Sequence, residues 1–208
     1  MKKLLLIGAM LCALCSIGYG STKMSSVPAD VHEGHEWVDL GLPSGLKWAT
    51  CNVGAANPGD YGDYYSWGMT TAKKEGVYGY SKLKSDIGGN LSCDAAAASW
   101  GGNWRMPTNS ELQELLDYCT WTWTTMDGNN GYMVTGPNGE SIFLPAAGFY
   151  VAEPTFPGDI VSYWSSTPVE GDVNTAYRMY CRFRQNDLKA VNGCKRSHGS
   201  SVRPVLAD

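Results

Sequence analysis

One stretch of the chain constrains its fold more than any other, because a helix signal and a strand signal meet there. Thr108 and Glu111 have the spacing of an N-terminal capping box, and leucines then recur at helical spacing as far as Cys119. From 119 to 125, tryptophan alternates with threonine, which is the period-2 pattern of a strand. A helix that passes directly into a strand predicts an α+β domain and argues against a helical bundle.

The composition favours short strands and turns over long helices. Charged residues make up 17% of the chain, against about 25% in typical soluble proteins. The 208 residues include 25 Gly, 8 Trp and 12 Tyr, whereas glycine usually makes up about 7% of a chain. Such a chain is neither disordered nor a coiled coil, and its aromatic side chains are expected to form flat packed surfaces.

A second, shorter helix is predicted from Asp94 to Trp100, where an aspartate N-cap precedes four alanines and two glycines follow. We expect the first and last strands of the domain to pair with each other and so close it. The predicted fold is therefore α+β, with two short helices, antiparallel strands and long loops. Strand patterns occur at 36–40, 46–53, 119–125, 131–135, 141–145, 163–166, 176–184 and 201–205.

The first 20 residues have the pattern of an export signal. Lys2 and Lys3 precede an apolar stretch over 4–17, and small residues then favour cleavage before Ser21. The predicted organisation is a signal peptide at 1–20, a polar tether at 21–35 and one domain at 36–206. The expected location is outside the cytoplasm, as a secreted, cell-surface or periplasmic protein. A lipid anchor is not expected, because leucine precedes both cysteines of the signal, and no other segment could span a membrane.

Charge is distributed unevenly along the chain. The segment from Tyr177 to Arg203 has seven basic residues and one acidic residue, a net charge of +6. Residues 30–176 have eighteen acidic and six basic residues, a net charge of −12. The basic segment is either a binding face for an anionic partner or an internal partner for the acidic loops. Nucleic acid is not an expected partner, since an exported chain with an acidic body carries none of its recognition motifs.

The cysteines and histidines predict neither a cofactor nor a metal centre. An odd number of cysteines leaves the disulfide pairing open, although Cys181 and Cys194 could close a local hairpin. The chain has only three histidines and no Cys-x-x-Cys pair after the signal, which disfavours zinc. Glu153-Pro154-Thr155 lacks the amide or carboxylate that a calcium-dependent lectin motif requires, and calcium elsewhere stays open. The five cysteines after the signal are Cys51, Cys93, Cys119, Cys181 and Cys194.

Four groups of residues resemble a known family. Residues 36–45 with 48–55 resemble the opening of the Fibrobacter succinogenes major paralogous domain, and Trp-Gly-Gly-Asn-Trp-Arg-Met-Pro-Thr at 100–108 resembles its centre. Tyr-Trp-Ser-Ser at 163–166 and Ser-Val-Arg-Pro-Val at 201–205 resemble its closing motifs. The resemblance implies export in Bacteroidetes-type bacteria and a C-type lectin-like fold, related to that of the formylglycine-generating enzyme.

The resemblance also implies a ligand-binding, adhesin-like surface protein whose ligand, a protein or a glycan, meets late loops and strands over 177–198. Strand alternation there predicts that Tyr177, Met179, Cys181 and Phe183 point inward. It predicts an outward basic row of Arg178, Tyr180, Arg182 and Arg184. The predicted ligand-binding residues are Trp164, Arg178, Tyr180, Arg182, Arg184, Asn186, Lys189, Asn192, Lys195, Arg196 and His198.

Alternative functions are open from the sequence. The segment resembles the variable region of lectin-like proteins diversified by retroelements, which the DNA around the gene would decide. A structural domain of a surface assembly is a second interpretation. A cysteine oxidase of the formylglycine-generating type is a third, but the surroundings of Cys181 and Cys194 do not match that pattern, and no other catalytic motif is present. We therefore expect a protein that is not an enzyme, with its oligomeric state open.

Overall fold

The computed structural model describes residues 30–183 and 188–206. Within them the chain forms two short helices and several antiparallel sheets, which confirms the predicted α+β class with its lectin-like architecture. The predicted signal peptide lies outside the described residues. The helices are α1 (Ala95–Trp100) and α2 (Asn109–Tyr118). The strands are β1 (Asp30–His32), β2 (His35–Asp39), β3 (Lys47–Ala49), β4 (Tyr65–Ser66), β5 (Trp104–Arg105), β6 (Thr120–Met126), β7 (Asn129–Thr135), β8 (Ser141–Pro145), β9 (Phe149–Tyr150), β10 (Pro154–Thr155), β11 (Ile160–Pro168), β12 (Thr175–Arg182), β13 (Leu188–Lys195), β14 (Gly199–Ser200) and β15 (Val205–Leu206).

Both helices begin at the caps that the sequence predicts. The buried Asp94 carboxylate accepts hydrogen bonds from the first free N–H groups of α1. At α2, Thr108 and Glu111 form the capping box, and Leu112 and Leu115 are buried against the sheets. Glu111 also accepts two hydrogen bonds from the Arg105 guanidinium, at 2.7 and 2.8 Å. Among the described residues, neither helix is long and apolar enough to cross a membrane.

The two ends of the domain meet in one sheet. Its strand order is β1-β2-β3-β15-β5, so that the last strand lies between β3 and β5 and the predicted pairing of the ends is confirmed. The sheet also begins earlier than expected. Residues 30–35, which the prediction assigned to the tether, form β1, the turn and the first residue of β2.

The closing motif has a structural role, because its arginine is buried among backbone oxygens. The Nη1 atom of Arg203 donates hydrogen bonds to the carbonyls of Ala49 and Thr50, and its Nη2 atom donates to Phe143. Its Nε atom donates to the Asn52 side chain at 2.9 Å. The guanidinium therefore joins the first strands, β8 and the end of the chain.

The late basic strand lies in a three-stranded sheet of order β11-β12-β13. One face of this sheet, with Val161, Tyr163, Met179 and Cys181, packs in the main core with the leucines of α2. The opposite face lies beside β9 and β14, which belong to a four-stranded sheet of order β10-β9-β14-β4. The fourth sheet, β6-β7-β8, completes the core around α2. These contacts fix which side chains of β12 can face outward.

The register of this sheet excludes the hairpin disulfide left open by the sequence. Cys181 lies opposite Lys189, and Cys194 lies opposite Ala176. About 17 Å of strand therefore separates the two cysteines, whereas a disulfide requires Cα atoms within about 7 Å. The two side chains also belong to different core clusters, on opposite faces of the sheet.

Candidate functional site

Three side chains of β12 share the face of the sheet that points away from α2. Arg178, Tyr180 and Arg182 alternate along the strand, and all three are half-buried. The inward prediction is right for Met179 and Cys181, which lie in the core. Phe183 follows the end of the strand and is 44% exposed, but its ring stacks on that of Trp123 at the edge of the same core.

Phe149 of β9 and Phe156, which follows β10, complete an alternating series of cations and rings. The guanidinium of Arg182 lies 5.1 Å from the ring of Phe156, and this ring lies 6.1 Å from that of Phe149. The guanidinium of Arg178 lies 5.2 Å from Phe149 and 4.9 Å from Tyr180. We call these five residues the arginine–aromatic face. Each cation–ring contact contributes about 0.5–2 kcal/mol, so the side chains hold one another in place.

Arg178 is the least compensated charge on this face. Its Nη1 atom donates to the Ser162 hydroxyl at 3.1 Å, while its Nε atom is buried without a hydrogen-bond partner. Burial lowers the pKa of the Arg178 guanidinium. No carboxylate forms an ion pair with it anywhere in residues 30–183 and 188–206.

Arg182 differs from Arg178 because a carboxylate of the same chain neutralises it. Its Nε atom lies 3.3 Å from the Asp159 carboxylate in a partly exposed ion pair. At this position the basic segment pairs internally, which was one of the two interpretations that the sequence left open. The predicted outward row is therefore only partly available to a ligand.

Trp164 was predicted to contact the ligand, and its complete burial contradicts this. It is 0% exposed, and its indole N–H donates to the carbonyl of Tyr65 at 2.6 Å. The reason is that β11 is covered on both faces, so its residues from Ile160 to Ser166 are all buried. The tryptophan of the Tyr-Trp-Ser-Ser motif is a core residue.

Arg196 is also a framework residue and not an exposed contact, since it is 0% exposed. Its Nε atom donates to the Thr175 carbonyl at 2.9 Å, and its Nη1 atom donates to those of Ser81 and Leu83 at 3.0 and 2.7 Å. The guanidinium lies 4.1 Å from the ring of Trp67. Backbone oxygens thus satisfy this charge, and it joins β12 to a distant loop.

The other predicted residues that the structure describes lie on both faces of the sheet, and Asn192 is directly opposite Arg178. Asn192 and Lys195 are exposed on β13. Lys189 lies on the core side of the sheet, with its ammonium 4.9 Å from the ring of Tyr132. His198 is half-buried beside the face, and Arg184 and Asn186 lie outside the described residues.

His198 extends the arginine–aromatic face toward β13. Its ring is parallel to that of Phe149, with the centroids 6.0 Å apart. Its Nδ1 atom lies 3.6 Å from the Cys194 thiol. Burial, followed by the charges of Arg178 and Lys195, lowers its pKa. The imidazole is therefore neutral at pH 7.

Sequence reasoning missed Phe149 and Phe156, which supply two of the three rings of the arginine–aromatic face. Both lie in a Gly- and Pro-rich passage with no strand pattern, so no local signal marks them. One unusual feature is visible only in the structure. Phe156 has a φ of 54°, in the left-handed region that non-glycine residues rarely adopt. Such strain costs about 1–3 kcal/mol and often occurs at functional sites.

The arrangement of the described side chains gives no support for a metal centre. Among the described residues, no group of three or more His, Cys, Asp or Glu side chains is placed to hold a metal ion.

The comparison with known families names the domain. A family model described as the Lcl C-terminal domain matches residues 42–206. The chain belongs to this family. Lcl C-terminal domains are similar to the formylglycine-generating and Fibrobacter-type domains. They occur in exported bacterial surface proteins, adhesins included. No match was found among curated proteins or among solved structures.

Proposed function

We propose that this Lcl C-terminal domain is a non-catalytic, adhesin-like module that binds an extracellular, anionic ligand through its arginine–aromatic face. The face combines rings and guanidinium groups, which are the side chains that dominate binding energy at many interfaces. The rings already hold the guanidinium groups in position, so that little conformational entropy is lost when a ligand binds. The strained backbone of Phe156 is consistent with this role.

The observation that carries the proposal is the environment of Arg178. Three arginines of the described chain, at 178, 196 and 203, have no carboxylate partner in an ion pair. Arg196 and Arg203 each donate four hydrogen bonds to oxygen atoms, whereas Arg178 donates only one, to a hydroxyl. A charge that is half-buried, with its Nε atom unpartnered, requires compensation. An anionic group of a ligand would supply it at Arg178.

The cysteine positions support a binding module over an oxidase. Chemistry with two thiols needs them side by side, and Cys181 and Cys194 lie on opposite faces of the sheet. Burial raises the pKa of the Cys194 thiol, which disfavours the reactive thiolate.

A structural domain of a surface assembly is the second candidate. The observation that favours it is the internal use of late basic residues, in the Arg182–Asp159 ion pair and in the buried Arg196. Under this alternative, the only role of Arg178 would be to pack against the rings of Phe149 and Tyr180.

Diversification by a retroelement is a finer form of the proposal. It predicts substitutions in related gene copies at exposed positions such as Asn192 and Lys195, with the buried Arg196 unchanged. A near-copy of the 3′ end of the gene that differs at adenines, next to a reverse transcriptase gene, would support it, and a locus without either would contradict it.

Binding of the purified chain to arrays of glycans and cell-surface proteins tests the proposed function. Arg178→Gln and Tyr180→Ala are expected to weaken the strongest signal about tenfold or more, as hot-spot residues do. Lys74→Gln and Tyr78→Ala are matched controls, because both side chains are exposed outside the face, Tyr78 at 84%. An array without signal, or a signal that all four variants retain, would favour the structural domain.

A further inference from the structure

A cavity of about 450 Å³ lies away from the arginine–aromatic face, between two loops. The β11–β12 connection forms one wall with Val169 and Val173, and the loop before α1 forms the other with Lys84 and Asp86. Its volume is within the range of about 300–1,000 Å³ that is usual for small-molecule sites. It is therefore large enough for a small organic ligand.

Three sets of hydrogen bonds hold the two walls at a fixed distance. Arg196 donates to the carbonyls of Ser81 and Leu83 on one loop and of Asp172 and Thr175 on the other side. The hydroxyl of Tyr80 donates to Asn174, at 2.9 Å. The Asp86 carboxylate accepts hydrogen bonds from two hydroxyls of β11, at 2.8 and 3.0 Å. The cavity is consequently preformed and not the result of a loose loop, and Arg196 is a positioning residue for it.

The polar groups of the cavity accept hydrogen bonds more than they donate them. Its lining includes the carboxylates of Asp86, Glu170 and Asp172 and one ammonium group, that of Lys84. The N–H groups of Arg196 are directed at backbone carbonyls and are not free to bind a ligand. Asp86 and Asp172 already accept hydrogen bonds from the walls themselves. The least engaged acceptor is therefore the exposed Glu170 carboxylate, which favours a cationic donor.

We propose that this cavity binds a small aliphatic amine. Its ammonium group would contact the carboxylates at the rim, chiefly that of Glu170, and its hydrocarbon part would pack between Val169 and Val173. The lining has three carboxylates against two cations, Lys84 and Arg196, and this net negative charge disfavours an anionic ligand. This site is independent of the arginine–aromatic face, and its ligand has the opposite charge.

Titration of the full chain with n-pentylamine, followed by the methyl NMR signals of Val169 and Val173, tests the proposal. We expect saturable shifts with a dissociation constant in the millimolar range, roughly what six heavy atoms can provide. Sodium pentanoate and n-pentanol have the same hydrocarbon chain with a negative or neutral head group. Neither should produce comparable shifts at the same concentration and ionic strength.

Two variants locate the ammonium contact. Glu170→Gln should weaken pentylamine binding about three- to fivefold, as expected for a partly exposed ion pair. Glu75→Gln removes another exposed carboxylate, which lies outside the cavity, and should leave the binding unchanged. Equal binding of pentanol or pentanoate would overturn the charge preference. Absence of shifts at the valine methyl groups with all three probes would overturn the site, whatever the array experiments show for the other face.

Discussion

Arg196 and Lys195 are adjacent residues with the same charge, and their replacement should have very different effects. Arg196→Met removes three charge-assisted hydrogen bonds of 2.7–3.0 Å and leaves the carbonyls of Thr175, Ser81 and Leu83 without this donor. Each such bond contributes about 1.5–3 kcal/mol. Breaking a buried charge network typically costs about 3–5 kcal/mol in total, out of a free energy of unfolding of about 5–15 kcal/mol. We expect a loss of about 3–5 kcal/mol.

Lys195→Met is the matched control. The side chain of Lys195 is exposed, so this variant should change the free energy of unfolding by no more than about 0.5 kcal/mol. Urea unfolding at pH 7, followed by tryptophan fluorescence, measures both values, and Trp67 lies directly beneath the Arg196 guanidinium. If the two variants differ by less than about 1 kcal/mol, the guanidinium does not hold the loops and the burial of Arg196 has no energetic consequence.

Three further predictions concern the backbone and the pH dependence. Phe156 has a φ of 54°, so in urea unfolding the Phe156→Gly variant should be about 1 kcal/mol more stable than the Phe156→Ala variant. This order is the reverse of that at ordinary positions, and a more stable alanine variant would contradict the strain. For Glu111, burial alone would raise the pKa, but the bonds from Arg105 and Thr108 outweigh it and lower the pKa. Glu111→Gln should thus cost stability at pH 7, and the difference from the unmodified chain should shrink as the pH falls below about 4; a constant difference from pH 7 to 3 would refute this. Gly136→Ala should destabilise the domain by more than about 1 kcal/mol, because the added methyl group would collide with the Leu40 carbonyl; thermal unfolding unchanged from that of the original chain would show that the backbone yields.

Local signals in the sequence predicted the helices, because their caps are made by residues three positions apart. The capping box of Thr108 and Glu111 and the aspartate cap of α1 form as expected. The outward direction of Arg178, Tyr180 and Arg182 also followed from the two-residue period of a strand. These features depend on neighbours along the chain, which a single sequence displays.

The features that could not be predicted depend on distant contacts. Nothing in the neighbourhood of Arg196 and Lys195 indicates which one is buried, because the loop around Ser81 that covers Arg196 is over a hundred residues away. Likewise, Trp164 is buried because β11 is covered on both faces by other sheets. Phe149 and Phe156 meet β12 only through the packing of one sheet against another.

The place of β15 between β3 and β5 also decides when the domain can fold. Neither neighbour can complete its backbone pairing until Val205 and Leu206 are present. A chain that crosses a membrane amino-terminus first would thus remain open during most of its passage and close only when its late segment emerges. Loss of these two residues alone would leave β3 and β5 unpaired on the sides that now face β15.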